Sequence, residues 1–363
     1  SIWRFARGIG VVATSETTYS DVPPTCVSEA LQDYWRDKLQ GMKGRDAHFA
    51  RLEDCREIAA RMIHRRPAEV SFCSSSAEAY NLLATALNLQ PRDEVVVNDL
   101  GGSRDGSGHS DAALQVVEEI EAAGGEAMPN GGSVTEYEQM ADMVAKAKER
   151  WGGVHVLINN AGILRDKSFT KMDPADFESV VKVHLIGSAF ATKACWDLMR
   201  EQNYGRILMT ASSSGLFGNF GQANYGAAKL GVTGLAKTLH LEGAKNNIKV
   251  NTLAPVAATR MTEDIFPEEA FKLFSPENVV PAALFLVSEG APSNAIVGAG
   301  AGGFHSAWVT MNKGVLLPPA ARTVEGFAAN WDKINDRTGD FVPQSGAEQS
   351  RVIIGQIQAA MKG

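Results

Sequence analysis

From about Val70 the hydrophobic pattern alternates between short β-branched runs and longer stretches with helical spacing. Val70–Cys73 reads as a strand and Ala77–Leu87 as a helix. Glu94–Asn98 is a strand, then Ser110–Ala123 a helix; Glu126–Met128 is a short strand, then Thr135–Trp151 a helix. Val154–Asn159 is a strand, followed by one or two helices over Ala175–Arg200. Arg206–Thr210 is a strand, Gln222–Lys245 a long helix and Lys249–Ala254 a strand, with helices on to about Glu289. The strand runs lack polar alternation, as expected where both faces of a sheet are buried. Strands alternating with helices imply right-handed βαβ units, hence an α/β fold with a doubly wound parallel sheet.

Two segments fall outside that rhythm. Residues 1–68 are helix-rich and charged, and residues 311–363 are loop-rich, with Pro318-Pro319 and a last apolar-patterned helix near Arg351–Met361. The expected organisation is therefore a helical extension over 1–68, a Rossmann-like core over 69–310 and a C-terminal extension over 311–363. With 363 residues, the chain is long enough for one large α/β domain with extensions or for two domains.

Composition narrows the function classes. Hydrophobic residues make up 44% and charged residues 21%, as in a globular protein rather than a disordered one. The formal charge of −7 argues against non-specific nucleic-acid binding, and no apolar run has membrane-span length. Cys26, Cys55, Cys73 and Cys195 form no CxxC pair, so neither a disulfide framework nor a metal site is expected. Ser1-Ile2-Trp3-Arg4-Phe5 does not read as a signal peptide, and Met361-Lys-Gly363 is not a Ser-Lys-Leu peroxisomal signal. An intracellular location, cytoplasmic or peroxisomal, is the expectation.

The chemistry-bearing signal is Tyr225-Gly-Ala-Ala-Lys229 on the predicted long helix. A spacing of four puts both side chains on one helical face. A phenol is a poor base at neutral pH, and a neighbouring ammonium favours its phenolate. The pair suits proton transfer to or from a hydroxyl or carbonyl. Ser212 follows the strand Arg206–Thr210, thirteen residues before Tyr225. A hydroxyl at the carboxyl end of a parallel strand lies where open α/β sheets hold ligands, and it could orient the reacting oxygen toward Tyr225. Asn159-Asn-Ala-Gly162 also ends a strand; alone it reads as a turn.

These features in this order resemble the short-chain dehydrogenase/reductase family. More narrowly, Val97-Asn-Asp-Leu-Gly-Gly102, Asn160-Ala-Gly-Ile-Leu-Arg-Asp166, Gly218-Asn-Phe-Gly-Gln-Ala-Asn-Tyr225, Thr259-Arg-Met-Thr-Glu263 and Asn330-Trp-Asp-Lys-Ile334 resemble the (3R)-hydroxyacyl-CoA dehydrogenase part of the peroxisomal multifunctional enzymes of type 2. The resemblance implies NAD-dependent oxidation of a (3R)-hydroxyacyl-CoA, or a similar secondary alcohol, by a homodimer. It makes Tyr225 the general base, Ser212 the partner of the substrate oxygen, and Lys229 the partner of Tyr225 and of the nicotinamide ribose. It places Asn159, Ala161 and Gly162 beside the cofactor, and Asp99 on the adenosine ribose hydroxyls, where a carboxylate repels a 2′-phosphate and selects NAD. Many relatives use an Asn on the helix after this segment. His184 in Lys182-Val-His-Leu-Ile186 stands there, either with a catalytic role or as a packed core residue.

The family opens with a strand and a glycine-rich turn that lets the backbone approach the pyrophosphate. No such turn precedes Asp99, and Gly132 falls where relatives carry an Asp beside the adenine. Gly298-Ala-Gly-Ala-Gly-Gly303 fits GxGxxG but is expected as a turn after the last strand. Residues 14–99 instead resemble the amino-terminal part of class V aminotransferases, in Gly44-Arg-Asp-Ala-His-Phe-Ala-Arg51, in 66–82 and in 90–97. That family's loop matching Ser74, Ser75 and Ser76 cups the phosphate of pyridoxal phosphate; no counterpart of its lysine segment follows. The expectation is that the strand–loop–helix unit at 70–87 replaces the missing dehydrogenase segment and that its serine loop faces the cofactor. Two rival readings remain open: a dehydrogenase-like scaffold with a deficient cofactor site, and a pyridoxal-phosphate protein.

Overall fold

The computed structural model describes residues 94–101, 112–122, 125–257 and 274–361. The expected strand Val70–Cys73, the loop Ser74–Ser76, the helix Ala77–Leu87, the extension 1–68 and the segment 259–263 lie outside the described residues. The chain divides into two compact units between Phe304 and His305.

In the first unit the strands are β1 (Glu94–Asn98), β2 (Glu126–Asn130), β3 (Val156–Asn159), β4 (Gly205–Thr210), β5 (Ile248–Pro255) and β6 (Ile296–Gly300), and β7 (Gly303–Ser306) runs across the boundary. The helices are α1 (Ala112–Ala122), α2 (Tyr137–Trp151), α3 (Pro174–Val181), α4 (Gly187–Gln202), α5 (Ser213–Phe217), α6 (Ala223–Gly243) and α7 (Val280–Val287). β1 pairs with β2 in parallel, and β3, β4, β5 and β6 run parallel in that order. The result is the Rossmann-like α/β architecture expected. One detail differs: among the described residues the strands form two hydrogen-bonded sheets, β1-β2 and β3-β4-β5-β6-β7, rather than one. β1 and β3 each have one described neighbour, and β1 is only partly buried.

β4 is buried along all six residues, with the apolar centre Ile207-Leu-Met209 that a central strand requires. Its side chains alternate between two layers. Ile207 and Met209 join Met140 and Met143 of α2, Cys195 and Met199 of α4 and Val232 of α6. Leu208 faces the other way, to Leu253 of β5 and Ala283 and Leu286 of α7. Asp173 caps α3 by accepting from the Ala175 amide, with Pro174 in the first turn, where a missing N–H costs nothing.

The glycine run 298–303 is corrected by the structure. Gly298 and Gly300 belong to β6, and Ala301-Gly302 forms a two-residue hairpin to β7 with φ of 50° and 77°. A Cβ on Gly300 would meet the Val256 carbonyl oxygen at 2.6 Å, so the glycine serves strand packing rather than a phosphate cradle.

The second unit carries α8 (Val324–Ala329), α9 (Trp331–Ile334) and α10 (Ala347–Ala360). α10 begins four residues before the expected helix because its first turn, Ala347-Glu-Gln-Ser350, is too polar to show apolar spacing. Met311 and Phe341 exchange backbone hydrogen bonds, and the Asn312 side chain donates to the Ile334 and Asp336 carbonyls.

Arg206 is the largest fully buried side chain among the described residues. Its guanidinium donates to the carbonyls of Ser288 at 3.1 Å and of Gly205 and Asn247 at 2.8 Å, and stacks 4.1 Å from the Tyr204 ring. It thereby ties β4 to the ends of β5 and α7. Replacement by Ala removes all three bonds and leaves a cavity where the largest fully buried side chain packs. Arg206→Ala is expected to lower unfolding stability by about 3 kcal/mol, read as a drop in the urea midpoint. An unchanged midpoint would refute this role.

Candidate active site

The carboxyl end of β4 leads directly into the site. Ser212 is the N-cap of α5, accepting from the Ser214 amide at 3.2 Å. Two glycines let α5 lie against α6. A Cβ on Gly215 would stand 2.7 Å from the Lys229 Cβ and 2.8 Å from the Leu230 amide nitrogen, and one on Gly226 would stand 3.1 Å from the Ser214 carbonyl oxygen. Tyr225 and Lys229 lie on α6, the helix expected over 222–245. The structure thus brings Ser212, Tyr225 and Lys229 together at the end of one strand.

Lys229 is buried, and its Nζ donates to the Thr210 carbonyl at 2.6 Å. Burial pulls its pKa down to about 7. Its Nζ is 5.6 Å from the centre of the Tyr225 ring.

His184 belongs to the same cluster. It sits on a π-helical turn, Lys182–Ile186, between α3 and α4. Its ring is 5.1 Å from that of Tyr225, edge to face at 88°. Nε2 is 2.8 Å from the Ile163 carbonyl oxygen and 3.1 Å from the Ile163 nitrogen. One ring nitrogen cannot donate and accept at once. The shorter contact assigns the proton to Nε2, which leaves Nδ1 bare, buried and without a partner among the described residues. Burial, aided by Lys229, holds the pKa of His184 down to about 3, so the ring is neutral. The ring fills the space where any Cβ on Gly162 would go, which is why the turn after β3 needs glycine there.

The remaining expected residues are more dispersed. Asn159 is buried and donates to Thr192 Oγ1 at 3.1 Å, so its side chain pins β3 to α4 and points into the core. The neighbouring Asn160 Oδ1 accepts from the Thr210 hydroxyl at 3.3 Å. Ala161 is exposed and Gly162 half-buried. Asp99 is exposed just past β1; its Oδ1 accepts from the Gly101 amide at 2.6 Å, which closes the turn. At Gly132 a Cβ would meet Asn130 Oδ1 at 2.8 Å, while Gly132 itself binds Asn98 through its carbonyl. An Asp at 132 would therefore displace the Asn98–Asn130 pair. The residues sequence reasoning missed act through backbone atoms or at a distance: the carbonyls of Thr210 and Ile163, and Gln222, which donates to Asp166 and accepts from Ser214 and Asn219. Backbone carbonyls leave no signal in residue type.

The comparisons with known proteins agree with this arrangement. The family model for short chain dehydrogenase matches residues 107–270. A protein of short-chain dehydrogenase/reductase type from Mycobacterium tuberculosis is 47% identical over 249 residues, which cover 68% of this chain and 86% of that one. The chain therefore belongs to the short-chain dehydrogenase/reductase family and is an oxidoreductase of that class. The full-length peroxisomal multifunctional enzyme type 2 of Drosophila melanogaster is similar in structure, with a TM-score of 0.61 and 33% identity over 73% of this chain. The match spans 49% of that enzyme. A 7α-hydroxysteroid dehydrogenase solved with NADH and 7-oxo glycochenodeoxycholic acid has a TM-score of 0.51 and 26% identity, covering 58% of this chain and 84% of that one. No described helix is long and apolar enough to cross a membrane.

The buried histidine has a testable pH consequence. In the unfolded chain His184 takes up a proton near 6.5, and in the folded chain only near 3. Between these values the unfolded state binds more protons. Its contribution is intact above pH 6.5 and is lost as pH falls toward 3, with a limiting slope of ~1.4 kcal/mol per pH unit. His184→Gln removes this proton, so urea unfolding across that window should show a shallower loss of stability in the variant than in the wild type. Equal slopes would contradict a buried neutral His184.

Proposed function

We propose that the protein oxidises a (3R)-hydroxyacyl-CoA, or a similar secondary alcohol, to the ketone with NAD as cofactor. The observation that carries this reading is the buried Lys229 amine beside the Tyr225 ring, at the strand end capped by Ser212. The resemblance to multifunctional enzymes of type 2 in the stretches around residues 97, 160 and 218 supports the substrate class.

The residues fit a nicotinamide dinucleotide at its two ends. Lys229, Tyr225 and the Ala161-Gly162 turn would hold the nicotinamide ribose end. The exposed Asp99 carboxylate would take the adenosine ribose hydroxyls and disfavour a 2′-phosphate. The serine loop 74–76, lying outside the described residues, belongs to the reading as the replacement for the pyrophosphate turn. When bound, NAD supplies the hydride acceptor. Ser212 orients the substrate hydroxyl, and Tyr225 accepts its proton as the carbinol carbon loses hydride. Lys229, when protonated, favours the phenolate form of Tyr225. His184, bound to the Ile163 carbonyl, holds the Tyr225 ring from the side. The reading includes a homodimer with a cytoplasmic or peroxisomal location.

A cofactor-deficient scaffold is the second reading, favoured by Gly132 and by the lack of a glycine-rich turn before Asp99. Fluorescence titration with NADH separates the two: saturable binding supports the enzyme, and none supports the scaffold. Tyr225→Phe should lower kcat/KM for (3R)-hydroxyacyl-CoA oxidation by about 10²–10⁴-fold with little change in unfolding midpoint. Asp99→Ser should raise the NADP-to-NAD ratio of kcat/KM by about tenfold. Full activity in Tyr225→Phe would overturn the proton-transfer role.

A further inference from the structure

Three phenylalanines stand on the loops around Ser212 and Tyr225: Phe169 is 75% exposed, Phe217 68% and Phe220 90%. Phe217 lies five residues after Ser212, and Phe220 five before Tyr225, so both belong to the connection between these two residues. Phe169 opens a short 3-10 turn on the loop after β3. That loop joins the connection through the Lys167 amide, which donates to the Gly221 carbonyl at 2.9 Å, and through the Gln222 side chain, which donates to Asp166 at 2.6 Å.

These rings are held outward by a fixed backbone. Gly218 and Gly221 have φ of 82° and 83°, so the chain turns sharply on either side of Phe220. Gln222, itself buried, accepts from Ser214 Oγ at 2.7 Å and from Asn219 at 3.0 Å, locking both ends of the turn. The local cations Arg165 and Lys167 share Asp176, at 3.0 and 2.9 Å, so one carboxylate offsets part of their charge. Phe169, Phe217 and Phe220 are the large exposed hydrophobic side chains of these two segments. Large apolar side chains exposed on adjoining loops mark a candidate contact surface.

We propose that Phe169, Phe217 and Phe220 seat the hydrocarbon chain of the substrate as it leaves the reacting carbon. The proposal rests on the oxidoreductase reading above and adds the determinant of chain length. Because Phe217 and Phe220 stand on the chain that connects Ser212 to Tyr225, the proposal runs the substrate's first carbons along that connection. A fatty acyl chain matches that surface by being flexible, uncharged and continuous with the reacting carbon. Polar or short substrates would leave the rings in water.

The test uses the full chain with NAD and two substrates, (3R)-hydroxybutanoyl-CoA and (3R)-hydroxyhexadecanoyl-CoA. The ratio of kcat/KM, long over short, should fall by about tenfold or more in the double variant Phe217→Ser/Phe220→Ser. Phe220→Leu, which keeps an apolar side chain, should keep most of the ratio. A parallel titration with fluorescent cis-parinaroyl-CoA, which needs no turnover, should show weaker binding in the double variant. An unchanged ratio together with unchanged probe binding overturns the proposal. So does a smaller oligomer by light scattering with the ratio intact, which would make the rings a contact between copies. If the wild type oxidises neither substrate, the hydroxyacyl-CoA reading fails, and the probe titration alone decides the role of the rings.

Discussion

The hydrogen bond from Lys229 to the Thr210 carbonyl is the constraint on which the site depends. An amine in a dry interior must find an acceptor, and the last carbonyl of a central strand is one that no neighbouring strand consumes. That single bond joins α6 to the end of β4. It fixes the height of Tyr225 above the sheet, one helical turn earlier on the same face. Burial then draws the amine toward neutrality, so it can respond to the charge of its neighbour near physiological pH.

Small residues make this burial possible. Gly215 and Gly226 let α5 press on α6, and Gly162 yields its side-chain space to the His184 ring. The histidine in turn is committed to a backbone carbonyl and to the edge-to-face contact with Tyr225. Each glycine therefore removes volume where a functional side chain needs it. Gly300 of β6, by contrast, makes room for the Val256 carbonyl and serves strand packing.

Much of the core was legible from the residues. β1 matches its expected limits, Glu94–Asn98, and β4 and β5 fall within one residue of theirs at each end. β1 carries Val95-Val-Val97 and β4 carries Ile207-Leu-Met209, and such aliphatic runs need no tertiary context to be recognised. β6 and β7 were not legible, since four glycines between 298 and 303 read as a turn. The π-helical turn at His184 also left no trace, because an inserted residue in a helix keeps the same composition. Asn159 resembled a cofactor residue by motif, yet its side chain faces Thr192, since alternate residues of a strand point to opposite faces.

Residue type and spacing alone determined that this is a strand–helix alternating chain with a Tyr–Lys pair four apart and a serine at a strand end. Those features are local, and local sterics and periodicity dictate them. The tertiary structure decided which atoms meet: the Thr210 carbonyl beneath Lys229, the Ile163 carbonyl on His184, and the loops that hold three phenylalanines outward. Such contacts join residues 19 and 21 positions apart, and 56 in the case of Asp166 and Gln222. No periodicity encodes a meeting at that range; it exists only once the helices have packed on the sheet.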